Sequence, residues 1–506
     1  MATEITASSG DISNQEIDAI IVNLFEGVTA PAGATGVVDS KLNGAISELI
    51  AGSDLSGKYL DVSALYPRDQ IPARRVLIVG LGKQEKFTLD RARRAAAAAI
   101  EKAHALGAQS AATIVHGAGI GGLDPEAAAR AVAEGTALGL YTYDVHKSST
   151  PERKAMEQVR IVEFYETKGA AVSRGVEQGA KIAECANFAR DLVNSPPNEC
   201  TPTYLAAKAE QIAAAFGGNV NIIEMPEMRE LGMGALLSVT EGSDEPAKFI
   251  IFEHNPTALE EAPIIFVGKA VTFDTGGYSL KPSQSMAEMK TDMGGGAAVL
   301  GAMRAAATLN IQRRVIGIIP AVENMVSGRA SRPSDVVKAS NGKTIEIIST
   351  DAEGRMILAD ALIYAARYNP AAVIDLATLT GAAMIALGRG GAAALFSTQD
   401  DLSARLLQAS SQSGERVWQL PLYEEYTEWM RRSEVADLLN SPNDRYAGTG
   451  TSAAFLQEFA SEYPWAHLDI APMAYLPKGT PVRRMGAAGA TGYGVRLLAY
   501  YLLGNS

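Results

Sequence analysis

Two short segments place charged side chains where packing alone has little use for them. The first, VGKAVTFDTGGYSLKPSQSMAEMKTDMGGG (267–296), sets Lys269 and Asp274 just beyond a buried apolar run. Lys281 follows, then Asp292 ahead of a glycine-led helix. The second, STDAEGRMILADAL (349–362), sets Asp351 and Glu353 before Gly354, Arg355 and an apolar helical pattern. Each residue has an ordinary alternative on its own, with Asp292 or Glu353 capping a helix and Lys269 lying on the surface. Taken together they are harder to explain that way, because unpaired buried charge is costly and needs partners. Divalent cations would satisfy four carboxylates. Oxygen-rich ligation suits manganese, magnesium or zinc, and open α/β sheets build their sites at strand C-terminal ends.

The surrounding pattern supplies such strands. Near-continuous apolar runs at 18–25, 75–80 and 110–117 alternate with amphipathic helices at 88–107 and from Pro125 to about Leu140. Thr88 and Asp124 are placed to cap those two helices. A strand at 159–166 and one long helical run follow, ended by the prolines of NSPPNECTP (194–202). Further strands are expected at 248–254, 263–268, 314–322 and 371–377, with a helix at 294–309. Apolar strands between helices predict an α/β protein with mostly parallel or mixed sheets flanked by helices. Two domains are expected, residues 1–169 and 194–506, joined by a connector helix over 170–193. The most apolar stretch, 371–388, contains Asp375, Thr378, Thr380 and Gly381, and reads as buried strand, loop and helix, not as a membrane span.

Length and composition fit this reading. The chain has 506 residues, of which 47% are hydrophobic and 20% charged, enough for two or three packed domains. A net charge of −12 argues against nucleic acid as a main partner. Two cysteines, Cys185 and Cys200, form no disulfide framework and fit a reducing cytoplasm. The N-terminus has neither a basic region nor an apolar run, so it does not read as a signal peptide.

Several other chemistries lack their residues. The five histidines (104, 116, 146, 254 and 467) are scattered, which excludes an HExxH zinc protease. VGLGKQE (79–85) lacks the third glycine of a dinucleotide fingerprint. SNGKTIE (340–346) has Val337 where a phosphate loop needs glycine, and reads as a hairpin turn at Asn341-Gly342.

The two charged segments together resemble the leucyl aminopeptidase family of two-metal cytosolic aminopeptidases. STDAEGR, VGKAVTFDTGG, SLKP and MKTDMGG carry the likeness. ARDLVNSPPNECTP (189–202), ENMVSGRASRPSDVV (323–337), DLATLTGA (375–382), RVWQLPL (416–422) and WAHLDIA (465–471) extend it across the second domain. The first domain is similar only in size and strand–helix pattern. Small departures occur: Ala270, Thr275 and Ser349 stand where glycine, serine and asparagine are usual, and three glycines (294–296) stand where two are.

The resemblance implies a metallo-exopeptidase that removes leucine and other apolar residues from the N-termini of peptides. Lys269, Asp274, Asp292, Asp351 and Glu353 would ligate two divalent ions, manganese or zinc, with Asp274 and Glu353 bridging. Lys281 would stabilise the oxyanion. Arg355 would hold bicarbonate as general base, at a helix start suited to an anion. Met289, Thr378 and Ala471 would line the side-chain pocket. A homohexamer is implied as well. A scaffold role or a nucleotide-binding role stays open at this point, the first because the family includes non-catalytic duties, the second with no glycine motif to support it.

Overall fold

A computed structural model describes residues 3–149, 154–442, 444, 446–482 and 484–504. Part of the polar stretch 146–157 therefore lies outside the described residues. The chain forms two compact units. One comprises residues up to Glu184 with two short returns, Gln412–Gly414 and 483–487. The other comprises Cys185–Ser411, Glu415–Val482 and the chain from Ala488 onward. The helix Glu166–Asn194 runs through the change-over, four residues earlier in its start than the sequence pattern placed it.

The first unit is a six-stranded sheet in the order Glu4–Ser9, Gln158–Glu163, Ser110–Ile114, Ala19–Phe25, Val76–Gly82, Val62–Leu65. All neighbours are parallel except the last pair. Strands Ala19–Phe25 and Val76–Gly82 are buried on both faces, which explains their unbroken apolar sequence. Helices Leu89–Ala105 and Pro125–Gly139 start as their sequences require. Thr88 Oγ1 accepts from Arg91 N (3.3 Å), and Asp124 Oδ2 accepts from Ala127 N (2.9 Å).

The second unit is a nine-stranded mixed sheet. Its main path runs Val417–Gln419, Ala393–Ser397, Trp465–Asp469, Ala372–Ala377, Ile264–Gly268, Val315–Asn324, Lys248–His254, Asn219–Ile223, and Ala270–Asp274 pairs with Val315–Asn324. Helices cover both faces. Ile316 and Ile318 join a cluster with Met356, Ile357 and Leu358 of the helix Glu353–Ala365. Gly317 between them faces the other way, where a Cβ would lie 2.8 Å from Met303 Cγ of the helix Gly294–Thr308.

The stretch 371–388 is strand Ala372–Ala377, a short loop and helix Gly381–Leu387. Asp375, its one charge, pairs in register with His467 and accepts from Trp465 Nε1 (2.7 Å) and His467 Nδ1 (2.5 Å). Among the described residues no helix is long and apolar enough to cross a membrane. The hairpin of Val336–Lys338 and Thr344–Glu346 turns at Asn341-Gly342, with Gly342 at φ 91°.

Candidate active site

Lys269 sits in the break between strands Ile264–Gly268 and Ala270–Asp274, at the C-terminal edge of the central sheet. Its N–H donates to Leu376 O (3.0 Å), and its carbonyl accepts from Gly296 N (2.7 Å). Helix Gly294–Thr308 can begin this close only because it begins with glycine. A Cβ on Gly295 would lie 2.9 Å from Lys269 N, and one on Gly296 2.7 Å from Ala270 Cβ. The extra glycine at 296 thus makes the room that Ala270 occupies. Asp274 ends the second of these strands, which the sequence pattern did not separate from the first.

The charged side chains converge. Lys269 Nζ lies 2.7 Å from Asp292 Oδ2 and 2.8 Å from Glu353 Oε1, and donates to Thr378 O (3.2 Å). Lys281 Nζ lies 2.7 Å from Asp274 Oδ2 and 2.5 Å from Asp351 Oδ1. Carboxylate oxygens of Asp274, Asp351 and Glu353 lie within 4.8 Å of one another. Neither Asp292 nor Glu353 is the N-cap of the α-helix beside it: those caps are Met293 and Ala352, and neither makes a side-chain cap bond. Neighbours fix the carboxylates. Asn324 Nδ2 (2.8 Å) and Gly276 N (2.9 Å) donate to Asp274 Oδ1, and Thr378 Oγ1 donates to Asp292 Oδ1 (2.8 Å).

Lys269, Asp274, Asp292 and Glu353 are buried, and they perturb one another's protonation. Burial, then the nearby Glu353, pushes Asp274 up to about 6. Burial also raises Asp292 and Asp351. Burial opposes the charge on Glu353 too, but Lys269 and Lys281 outweigh it and hold that carboxyl below its ordinary range. Burial would depress both lysines, yet the carboxylates around them win and raise both. Four acidic groups therefore share two ammonium ions. Glu353 Oε2 has no hydrogen-bond partner among the described residues. A hard or borderline divalent cation fits that donor set, since it supplies the missing positive charge and takes oxygen ligands.

Nine of the ten candidate residues line one cavity of about 370 Å³: Lys269, Asp274, Lys281, Met289, Asp292, Asp351, Glu353, Thr378 and Ala471. Arg355 is not in that wall. It is buried at the start of helix Glu353–Ala365, where Nη1 donates to Asn440 O (2.8 Å) and Nε has no hydrogen-bond partner among the described residues. Burial lowers it to about 10, against the opposing effect of Glu353. Several contributors were not singled out from sequence. Asn324 orients Asp274. Asn440 accepts from Ile348 N (2.8 Å) and Ser349 N (3.2 Å) through Oδ1 and donates to Ser349 O (2.7 Å). Asp469 accepts from Leu379 N and Thr380 Oγ1 behind the cavity.

Residues 187–499 match the catalytic domain of the cytosol aminopeptidase family, and residues 21–150 match that family's N-terminal domain. The chain belongs to the cytosol aminopeptidase family. A probable cytosol aminopeptidase of Roseiflexus castenholzii is 42% identical over 504 residues, covering 98% of each chain. One from Geobacter sulfurreducens is 41% identical over 500 residues, covering 98% of this chain and 99% of that one. Among solved structures, a mutant tomato leucine aminopeptidase superposes with a TM-score of 0.89 at 34% identity, over 99% of this chain and 97% of that one. The bottromycin maturation enzyme BotP in complex with manganese gives 0.84 at 37%, over 97% and 99%. The protein is a metal-dependent aminopeptidase, a hydrolase that takes residues from the N-termini of peptides. At two departures a hydroxyl makes a local hydrogen bond. Thr275 Oγ1 donates to Asn324 O (2.8 Å), and Ser349 Oγ accepts from Asp351 N (3.3 Å).

Proposed function

We propose that this aminopeptidase releases leucine and other apolar N-terminal residues, using two divalent cations, manganese or zinc, held by Lys269, Asp274, Asp292, Asp351 and Glu353. The observation that carries the reading is the single cavity in which these five side chains meet Lys281. When bound, such cations supply Lewis acidity and acidify a water molecule. Lys269 would then serve as a neutral amine, its proton displaced by the cation. Lys281 stands in the wall, partly exposed, its ammonium beside Asp274 and Asp351, from where it would donate to negative charge on the scissile carbonyl oxygen. Met289, Thr378 and Ala471 give the same cavity an apolar and small-residue side for the leaving residue's side chain. Thr378 also anchors Asp292, so pocket and ligand share a support.

Bicarbonate is the base we assign, held by Arg355. The free Nε of that buried guanidinium and the helix start beside it suit a small planar anion. The cytosolic names of the relatives and the two buried cysteines, which form no disulfide, support a cytoplasmic location. A homohexamer is our assignment from the family likeness alone, to be read by light scattering. The function itself is tested with metal-depleted protein: hydrolysis of leucine anilide should vanish on chelation and return with manganese or zinc. Unchanged hydrolysis after complete chelation would overturn it.

A further inference from the structure

The six-stranded sheet of the first unit carries a second cavity, of about 510 Å³, which the peptidase chemistry does not use. Its wall is built at the C-terminal ends of parallel strands. Asp11 follows Glu4–Ser9, Phe25 closes Ala19–Phe25, and Gly117 to Gly121 follow Ser110–Ile114. Strand Ala19–Phe25 lies between Val76–Gly82 and Ser110–Ile114. The chain leaves it towards Val76–Gly82 and returns past it to Ser110–Ile114, so the strand order reverses here. Open parallel sheets bind ligands in the crevice at such a reversal, and this volume lies in the range of small-molecule sites, about 300–1,000 Å³.

Both loops that leave the reversal present unused backbone donors. The nine-residue helix Gly33–Lys41 has Ala32 as its N-cap and no side-chain cap. Among the described residues, the N–H groups of Gly33, Ala34 and Thr35 meet no protein acceptor, and all three residues line the cavity. The same holds for the N–H groups of Gly119, Ile120 and Gly121 in the other loop. That loop is tied down through its carbonyls, by Lys168 Nζ to Ala118 O (3.0 Å) and Gln84 Nε2 to Ile120 O (2.8 Å). Two sets of free N–H groups on one cavity, one at a helix start, favour a polyvalent anion.

The remaining wall wants a flat apolar body. Six large hydrophobic side chains are exposed among the described residues of this unit, and four of them line this cavity: Val37, Ile120, Phe164 and Tyr165. The last two stand 66% and 59% exposed. Asp11 adds a fixed acceptor, its Oδ1 held by Ser13 N (2.8 Å) and Ser13 Oγ (2.6 Å). We propose that this cavity binds a nucleoside diphosphate with an amino-bearing base, the phosphoryl groups on the two loops, the base against the aromatic rim and its amino group on Asp11. The sequence motifs at 79–85 and 340–346 gave no support to a nucleotide. The donors lie instead at 33–35 and 119–121, in a glycine-rich loop without the usual fingerprint.

Calorimetry on the full-length protein tests this with ADP, UDP, adenosine and pyrophosphate. ADP should bind at one site per chain, at least tenfold tighter than adenosine or pyrophosphate and several-fold tighter than UDP. Ala34→Glu and Gly119→Glu each place a carboxylate at the anion locus. A Cβ on Gly119 meets nothing within 4 Å, so that variant is sterically free to fold. Each should weaken ADP at least tenfold while leucine anilide hydrolysis and melting temperature stay at wild-type values. No ADP binding up to on the order of 1 mM, wild-type affinity for ADP in both variants, or pyrophosphate binding as tightly as ADP would overturn the proposal.

Discussion

Gly354→Ala is the most informative single change at the peptidase site. Gly354 is the second residue of the helix Glu353–Ala365, and a Cβ there would run into Lys269, 2.6 Å from both Cδ and Nζ. Ordinary carbon contact needs about 3.5–4.0 Å, so the lysine must retreat by about 1 Å. It has little freedom to do so, because its ammonium is pinned between Asp292 and Glu353 at 2.7 and 2.8 Å. Overpacking of this kind costs about 1–3 kcal/mol, while replacing glycine by alanine in a helix returns about 0.5–1 kcal/mol. The net loss of stability should therefore be small, between about 0 and 2.5 kcal/mol. Displacing a group in the reaction centre by about 1 Å costs about 10²-fold in rate. Steady-state hydrolysis of leucine anilide, alongside urea unfolding and metal content, should show kcat/KM down at least that far with the fold intact and metal affinity weakened. Near-wild-type kcat/KM with full metal content would refute the reasoning that Lys269 works from this fixed position.

Lys281→Ala should lower kcat by about 10²–10³ with a much smaller change in KM; steady-state kinetics decide it, since a pure KM effect would make Lys281 a substrate anchor. Wild-type enzyme in carbon-dioxide-free buffer should slow and recover on adding bicarbonate, whereas Arg355→Ala should be slow in both; an indifferent wild type would remove bicarbonate from the mechanism. Gly296→Ala should destabilise by about 1–3 kcal/mol through contact with Ala270, and Ala270→Gly should recover part of that in a double-mutant cycle read by denaturant unfolding. Burial lowers the His116 imidazole to about 4, below its unfolded value of about 6.5. The stability of the neutral ring is thus complete above pH 6.5 and lost as pH falls toward 4, by up to about 3 kcal/mol. Unfolding of His116→Gln should depend less on pH across that window, and an identical slope would acquit the histidine.

The charged cluster was legible because its residue types are wrong for a core and right for a cation. Helix starts at Thr88 and Asp124 were legible because capping is local. The break at Lys269 was not: a second strand, Ala270–Asp274, follows directly and is held by pairing with Val315–Asn324, some 50 residues on. Nor were the supports. Asn324 reaches Asp274 across 50 residues and Asn440 reaches Ser349 across 91, and in sequence each reads only as a polar residue at the end of a strand or in a turn. The reciprocity of Ala270 and Gly296 was visible as two separate departures, and only their facing positions join them. The first unit's cavity escaped because free backbone N–H groups leave no side-chain signature.

The account rests on five side chains holding two cations in one cavity, and metal stoichiometry tests that most directly. Protein loaded with manganese, desalted and assayed by elemental analysis should carry two ions per chain. Glu353→Gln should carry fewer and lose hydrolysis, and its metal-free form should melt below the metal-free wild type, since Lys269 and Lys281 favour the charge that the change removes. A Glu353→Gln protein that keeps both ions and full activity would contradict the account.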